Sequence, residues 1–191
     1  MAKKINIEVS ARHIHVSQED LEALFGKDYQ LKKLRDLTVP PEFAAQETVE
    51  VINGDKKISK VRIIGPVRKE TQIELSFTDA VKLGLNPPVR ISGDLEGTPG
   101  ITLVGPKGKL KLERGVIISW RHIHCGPKEA REIGVNDRQI VSVLVKGDRS
   151  LVFHNVVVRV RGGDVLCMHI DTDEGNAAGI LRQGKGEILK E

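Results

Sequence analysis

The sequence predicts a mainly β protein assembled from small barrels, and three observations carry that reading. Short runs rich in valine and isoleucine recur along the chain, bounded by Gly, Pro, Asn and Asp. Helical signals are few and short. The tetrapeptide Arg-His-Ile-His occurs twice, at 12–15 and 121–124, and a helical signal follows each copy. Many short strands with regular glycine punctuation indicate barrels or sandwiches, and a repeat points to two related units.

The elements follow in order. Ile5, Ile7 and Val9 alternate, which predicts a strand over 5–10. Ser17 is placed to cap a helix that carries acids in its first turn and stops at Gly26. Further strands are predicted at 48–52, 61–64, 72–75, 89–92, 101–104, 116–120, 140–145, 151–153, 156–160 and 165–170. Asn53-Gly-Asp and Lys146-Gly-Asp read as tight hairpin turns. Short helices are predicted over 78–84 and 127–134, with Pro127 suited to a first turn. The stretch 79–85 resembles 129–135, a second internal similarity. Nothing is polar enough to be a flexible linker, so two barrels would pack directly together.

Composition excludes several classes. Two cysteines in 191 residues cannot staple a disulfide scaffold. A 39% hydrophobic content argues against disorder. No apolar run approaches the roughly 18 residues of a membrane helix, and the first residues lack the apolar core of a signal peptide. A soluble intracellular protein without a membrane partner is the expectation. The charge of +4 comes from 30 basic against 26 acidic residues, interspersed along the chain. Lys107, Lys109 and Lys111 form the one clear basic cluster, on a predicted strand edge. Six aromatics without basic interleaving do not make a stacking platform for nucleic acid. A pocket for a small anion suits this modest excess better.

Histidine placement is the sharpest signal. Four of six histidines lie in the two tetrapeptides. His13 and His15 are two apart, as are His122 and His124, and residues i and i+2 of a strand share a face. Both rings of a pair can converge on one ion, with Ile14 and Ile123 turned to the core. His169 sits at another strand end. Two pairs plus one histidine exceed one tetrahedral site, so two metals are expected. His154 has no such setting and reads as structural. Arg12 and Arg121 point away from the pairs and read as packing or salt-bridge residues. Parity turns Cys125 to the other face, and Cys167 reads as core. The absence of Cys-X-X-Cys argues against a structural zinc site.

Two further stretches stand out. Arg68 or Lys69 could hold an anion, with the planar fork of arginine preferred. Glu74 is either a metal ligand or a solvated strand residue. The polar stretch 171–179 follows His169 directly and reads as a substrate-contacting loop; its acids do not match a calcium loop.

Together these stretches resemble the PduL-type phosphotransacylases, the phosphate propanoyltransferases. The resemblance rests on 9–15, 65–68, 92–95, 97–100, 121–124 and 168–179, and spans about residues 5–179. It implies interconversion of a short-chain acyl-CoA, propanoyl-CoA or acetyl-CoA, plus phosphate with the acyl phosphate plus CoA. It implies two packed small β-barrels capped by short α-helices, one formed by 1–46 with 116–191 and the other by 47–115, with two zinc ions between them. His13, His15 and Glu74 would hold one zinc; His122, His124 and His169 would hold the other. Arg68 would bind phosphate. Ser10, Arg62 and Asn176 would contact CoA. Direct transfer in a ternary complex follows, because no separate nucleophile is required.

Members of that family that enter bacterial microcompartments usually carry an amphipathic N-terminal extension. Here a strand is predicted close to the start, so a cytoplasmic bacterial enzyme is expected, and compartment association stays open. A homodimer is compatible with the sequence. Two other readings compete with this one. A cupin-like His-X-His metalloenzyme needs a Glu a few residues on, and Glu19 comes too early and inside a helix signal. A basic β-domain binding nucleic acid lacks the aromatics.

Overall fold

The computed structural model describes residues 3–189. Among the described residues the chain is mainly β, with fifteen strands and four short helices. In chain order they are β1 (Lys3–Val9), β2 (His13–His15), α1 (Gln18–Phe25), β3 (Lys33–Asp36), β4 (Phe43–Asn53), β5 (Lys56–Gly65) and β6 (Gln72–Leu75). Then come α2 (Phe77–Leu83), β7 (Val89–Arg90), β8 (Ile101–Val104), β9 (Lys109–Leu112), β10 (Val116–Ser119), β11 (His122–Cys125) and α3 (Pro127–Ile133). The last elements are β12 (Ile140–Val145), β13 (Leu151–Val160), β14 (Cys167–Ile170), α4 (Thr172–Ala178) and β15 (Gln183–Leu189).

The chain divides into two compact units. One takes the residues up to Ala11 and those from Trp120 onward; the other runs Arg12–Ser119. The first is a closed six-stranded barrel in the order β1-β14-β11-β13-β12-β15. Its core includes Ile5, Ile7, Ile123, Val143, Val158, Met168 and Ile188. So small a barrel leaves little room inside, and β15 meets that limit with glycine. A Cβ on Gly186 would lie 2.6 Å from Val143 Cγ1 and 2.9 Å from Ile7 Cδ1.

The second unit is a nine-stranded half-barrel sheet, β7-β10-β6-β2-β5-β4-β8-β9, with β3 on β4. Ile14, Leu21, Leu24, Ile63, Ile73, Leu83 and Leu103 fill its core. Lys109 and Lys111 project from its edge strand β9, exposed between half-buried Leu110 and Leu112. Charged side chains on an edge discourage pairing with another chain, which accounts for that basic cluster. No helix among the described residues is long and apolar enough to cross a membrane.

The boundaries differ from those expected at 46/47 and 115/116. Residues 12–46 build the second unit, because β2 pairs with β5 and β6 and β4 pairs with β5. β10 also belongs there, paired with β6 and β7.

The units repeat one plan. In each, a His-Ile-His strand runs parallel to one neighbour and antiparallel to another: β2 with β5 and β6, β11 with β13 and β14. The strand that precedes each His-Ile-His strand is exchanged: β1 pairs with β14, and β10 pairs with β6. α1 and α3 therefore correspond, as do α2 and α4. The similarity of 79–85 to 129–135 joins α2 to α3, which hold different places in that plan. What those stretches share is a helix stop. Gly84 and Gly134 adopt φ 66° and 73°, and the next residue's N–H bonds back to Ala80 or Ala130. Gly179 and Ile180 end α4 the same way.

Several expectations are corrected. Each histidine pair occupies a strand of its own, separated from the preceding strand by a short break. The stretches 151–153 and 156–160 form one strand, β13, bent at Asn155, whose φ is 55°; asparagine tolerates that region better than most residues. The connection after Val145 is longer than a tight turn. The stretch 171–179 is not a loop. Asp171 caps α4 by accepting from the Glu174 N–H, and Glu174 accepts from the Asp171 N–H, a closed capping box.

Candidate metal centres

The repeated plan builds one triad in each unit. His13 and His15 lie on β2, and Glu74 lies directly opposite His13 on β6. His122 and His124 lie on β11, and His169 lies directly opposite His122 on β14. Glu74 and His169 thus hold equivalent positions. Ile14 and Ile123, between the histidines, are fully buried. Burying each is worth about 1.5–3 kcal/mol, and it fixes the ring-bearing face opposite the core.

In the half-barrel unit the two Nε2 atoms are 3.1 Å apart. Glu74 oxygens lie 3.7 Å from His13 Nε2 and 3.8 Å from His15 Nε2. His15 Nδ1 faces the Ile64 carbonyl at 3.3 Å. A carbonyl only accepts, so Nδ1 carries the hydrogen and Nε2 presents a lone pair. Glu74 is buried, which removes the solvated alternative, and its Oε1 accepts from Gln72 Nε2 at 2.6 Å. Burial holds His15 well below the usual histidine pKa; neighbouring His13 and Arg68 add to this and Glu74 opposes it.

In the barrel unit both histidines of the pair are held from behind. His122 Nδ1 donates to the Trp120 carbonyl at 2.7 Å, and His124 Nδ1 donates to Asp164 Oδ2 at 2.9 Å. Both Nε2 atoms are left with lone pairs, and they face each other at 2.9 Å. Two ring nitrogens facing at that distance favour a cation between them, a proton or a metal ion. Burial, with His122 and His169 adding like charge, lowers the His124 pKa to about 2. Ligands 2.0–2.1 Å from a tetrahedral zinc are about 3.3 Å apart, a small adjustment from what is seen. The donor atoms of each triad lie within 4.8 Å of one another, so each set could hold a metal ion.

Glu8, Cys167 and His169 also gather within that distance. Burial, with Glu8 nearby, pushes the Cys167 thiol up to about 12, and burial raises Cys125 to about 11. Cys125 donates to the Arg159 carbonyl.

Arg68 lies beside the first triad's hydrogen-bond network. One of its terminal nitrogens donates to Ser92 Oγ at 3.0 Å and the other to Glu42 Oε1 at 2.7 Å. Gln72 Nε2 also donates to Ser92 Oγ, at 2.8 Å. Lys69 is exposed. Arg12 and Arg121 are salt-bridge residues. Arg12 pairs with Asp79 at 2.9 Å and Arg121 with Glu174 at 2.7 Å. Asp79 and Glu174 each lie three residues after the cap of equivalent helices, α2 and α4.

Of the residues matched to CoA contacts, Ser10 is half-buried just after β1, with its N–H bonded to the Ile170 carbonyl. Arg62 lies opposite His13 on β5 and donates to the Ala45 and Gln46 carbonyls. Asn176 is exposed on α4. Residues missed from sequence are Glu42, Gln72, Asp79, Asp164 and Glu174. Gln72 was within reach, because it stands two before Glu74 on a strand and so shares its face.

His154 is exposed and faces the Ser142 hydroxyl at 2.9 Å. His154→Ala is expected to leave activity and metal content unchanged, as steady-state kinetics and metal analysis would read. The depressed histidines give a second expectation. Unfolded, they titrate near 6.5. Below that pH the unfolded chain binds protons that His15 and His124 in the fold do not. Stability of the metal-free protein should therefore fall as pH drops from about 6.5, by up to about 1.4 kcal/mol per pH unit for each of the two. Urea unfolding across pH 7 to 5 reads this directly.

A mainly β chain with two repeated triads whose donors could hold a metal ion defines the class of protein. Comparison with known proteins narrows it. The sequence model of the phosphate propanoyltransferase family matches residues 6–181. A phosphate propanoyltransferase of Thermotoga maritima is 55% identical over 175 residues, covering 91% of this chain and 83% of that protein. One from Lachnoclostridium phytofermentans is 50% identical over 92% of this chain and 83% of its own length. One from Listeria monocytogenes is 42% identical over 97% and 87%. The chain belongs to the phosphate propanoyltransferase family.

Proposed function

We propose that this protein is a bacterial, cytoplasmic phosphate acyltransferase. It interconverts a short-chain acyl-CoA, propanoyl-CoA or acetyl-CoA, and phosphate with the acyl phosphate and CoA. The observation that carries the reading is the pair of equivalent triads, one in each unit, with His15, His122 and His124 held from behind at Nδ1 so that Nε2 faces the other donors of its own triad. The family supports the reaction class. The triads support two zinc ions, one held by His13, His15 and Glu74 and one by His122, His124 and His169. Zinc would supply a Lewis acid for the acyl carbonyl and a soft partner for the CoA sulfur.

The chain's own groups do the rest. Two of the five N–H donors of Arg68 are used by Ser92 and Glu42, which leaves its fork able to take phosphate oxygens. Ser92 accepts from both Arg68 and Gln72, so its own proton is turned outward for an anion. Ser10, Arg62 and Asn176 would contact CoA; the unused donors of Arg62 suit its phosphates. A phosphate oxygen attacks the acyl carbon, the C–S bond breaks, and CoA leaves as a good leaving group. With both thiols held protonated, nothing supports an acyl-cysteine, and transfer is direct. Ping-pong kinetics would sink that mechanism.

Neither alternative gains a specific observation. The test is formation of acyl phosphate from acetyl-CoA, propanoyl-CoA and butanoyl-CoA, with metal analysis of the same sample. Activity that chelators abolish and zinc restores supports the reading; no acyl phosphate from any of the three overturns it.

A further inference from the structure

The two triads differ in what stands behind them. His15 and His122 lean on main-chain carbonyls, of Ile64 and Trp120. Those acceptors come with the strands themselves. His124 leans on a carboxylate, Asp164, at 2.9 Å. That side chain arrives from the turn between β13 and β14, after Gly162 and Gly163, the latter at φ 88°. Its carboxylate is only 7% exposed. A buried carboxylate is costly unless it is paired and hydrogen-bonded, and here His124 Nδ1 is a partner.

We propose that Asp164 is a positioning residue for the His122, His124 and His169 centre. It holds His124 as the Nδ1–H tautomer, keeps the ring turned so that Nε2 addresses the metal, and makes that nitrogen a better donor. A carboxylate can only accept, so it enforces one tautomer. Asparagine in its place could rotate its NH2 toward Nδ1, favouring the tautomer whose Nε2 carries hydrogen and cannot bind metal. Asp164 contacts His124, and His15 leans on a main-chain carbonyl instead, so the effect of Asp164 falls on the His122, His124 and His169 centre.

The inference rests on the zinc reading above, and one experiment separates the two. Full-length wild type, Asp164→Asn and Asp164→Glu are loaded with cobalt(II) as a spectroscopic stand-in for zinc and titrated with a chelator, with folding followed by circular dichroism. In Asp164→Asn, one of two metal equivalents should loosen by about 10–100-fold and its visible spectrum should shift, while the other stays unchanged. Asp164→Glu should recover part of the affinity. Both equivalents held as tightly as in wild type would overturn the role of Asp164 and leave the zinc reading intact. Wild type that binds no metal would overturn both. Loss of both equivalents, or a variant that fails to fold where wild type folds, marks a purely structural residue and overturns the proposal.

Discussion

Replacing His124 with alanine is expected to remove acyl-phosphate formation and to lower bound metal by about one equivalent per chain. His124 supplies one of three donors in its triad, and its ring is fixed from behind by a carboxylate. Loss of an outer partner costs about 10–100-fold in metal affinity or activity. Loss of a direct donor should exceed about 100-fold. The substitution also removes one hydrogen bond from the buried Asp164 carboxylate. Thermal unfolding of the metal-free variant therefore belongs in the experiment. A folded variant short of one metal and inactive is the expected outcome. A folded variant with unchanged metal and full activity would reject the ligand assignment. His13→Ala should lower the other equivalent, because the triads are built on separate strands.

The sequence exposed the triads because their logic is local. A His-X-His on a strand puts two rings on one face whatever surrounds it, and the repeat showed that this was no accident of one segment. Glu74 and His169 were harder. Each becomes a third donor only through antiparallel register, opposite His13 and His122, and register is not written in either strand alone. Asp164, Asp79 and Glu174 were out of reach for the same reason. They act across separations of 40, 67 and 53 residues, where no periodicity links partner to partner. The misread stretch at 171–179 failed differently. Glycine and acids suggested a loop, yet Asp171 and Glu174 form a capping box, whose spacing was visible. The displaced boundaries come from strand exchange. β1 and β10 leave the unit that their following strands join, so a boundary placed by sequence proximity falls in the wrong place.

Arg68→Ala is expected to raise the KM for phosphate by about 10–150-fold and leave that for acyl-CoA nearly unchanged. Hydrogen bonds to a charged group are worth about 1.5–3 kcal/mol, and each 1.4 kcal/mol is tenfold. Arg68→Lys keeps the charge but loses the fork, and should fall between wild type and alanine. Glu42 sharpens the test. It lies 2.7 Å from the guanidinium, so removing Arg68 leaves a bare carboxylate where the phosphate must come. Part of the loss in Arg68→Ala should then be repulsion. Adding Glu42→Gln should recover that part, while Glu42→Gln alone, which frees a donor on Arg68, should lower the phosphate KM. Coupling of this sign in the double-mutant cycle is what a shared anion site requires. Additive effects would mean that Glu42 and the phosphate do not compete for Arg68, and an unaltered phosphate KM in Arg68→Ala would discard its role in phosphate binding.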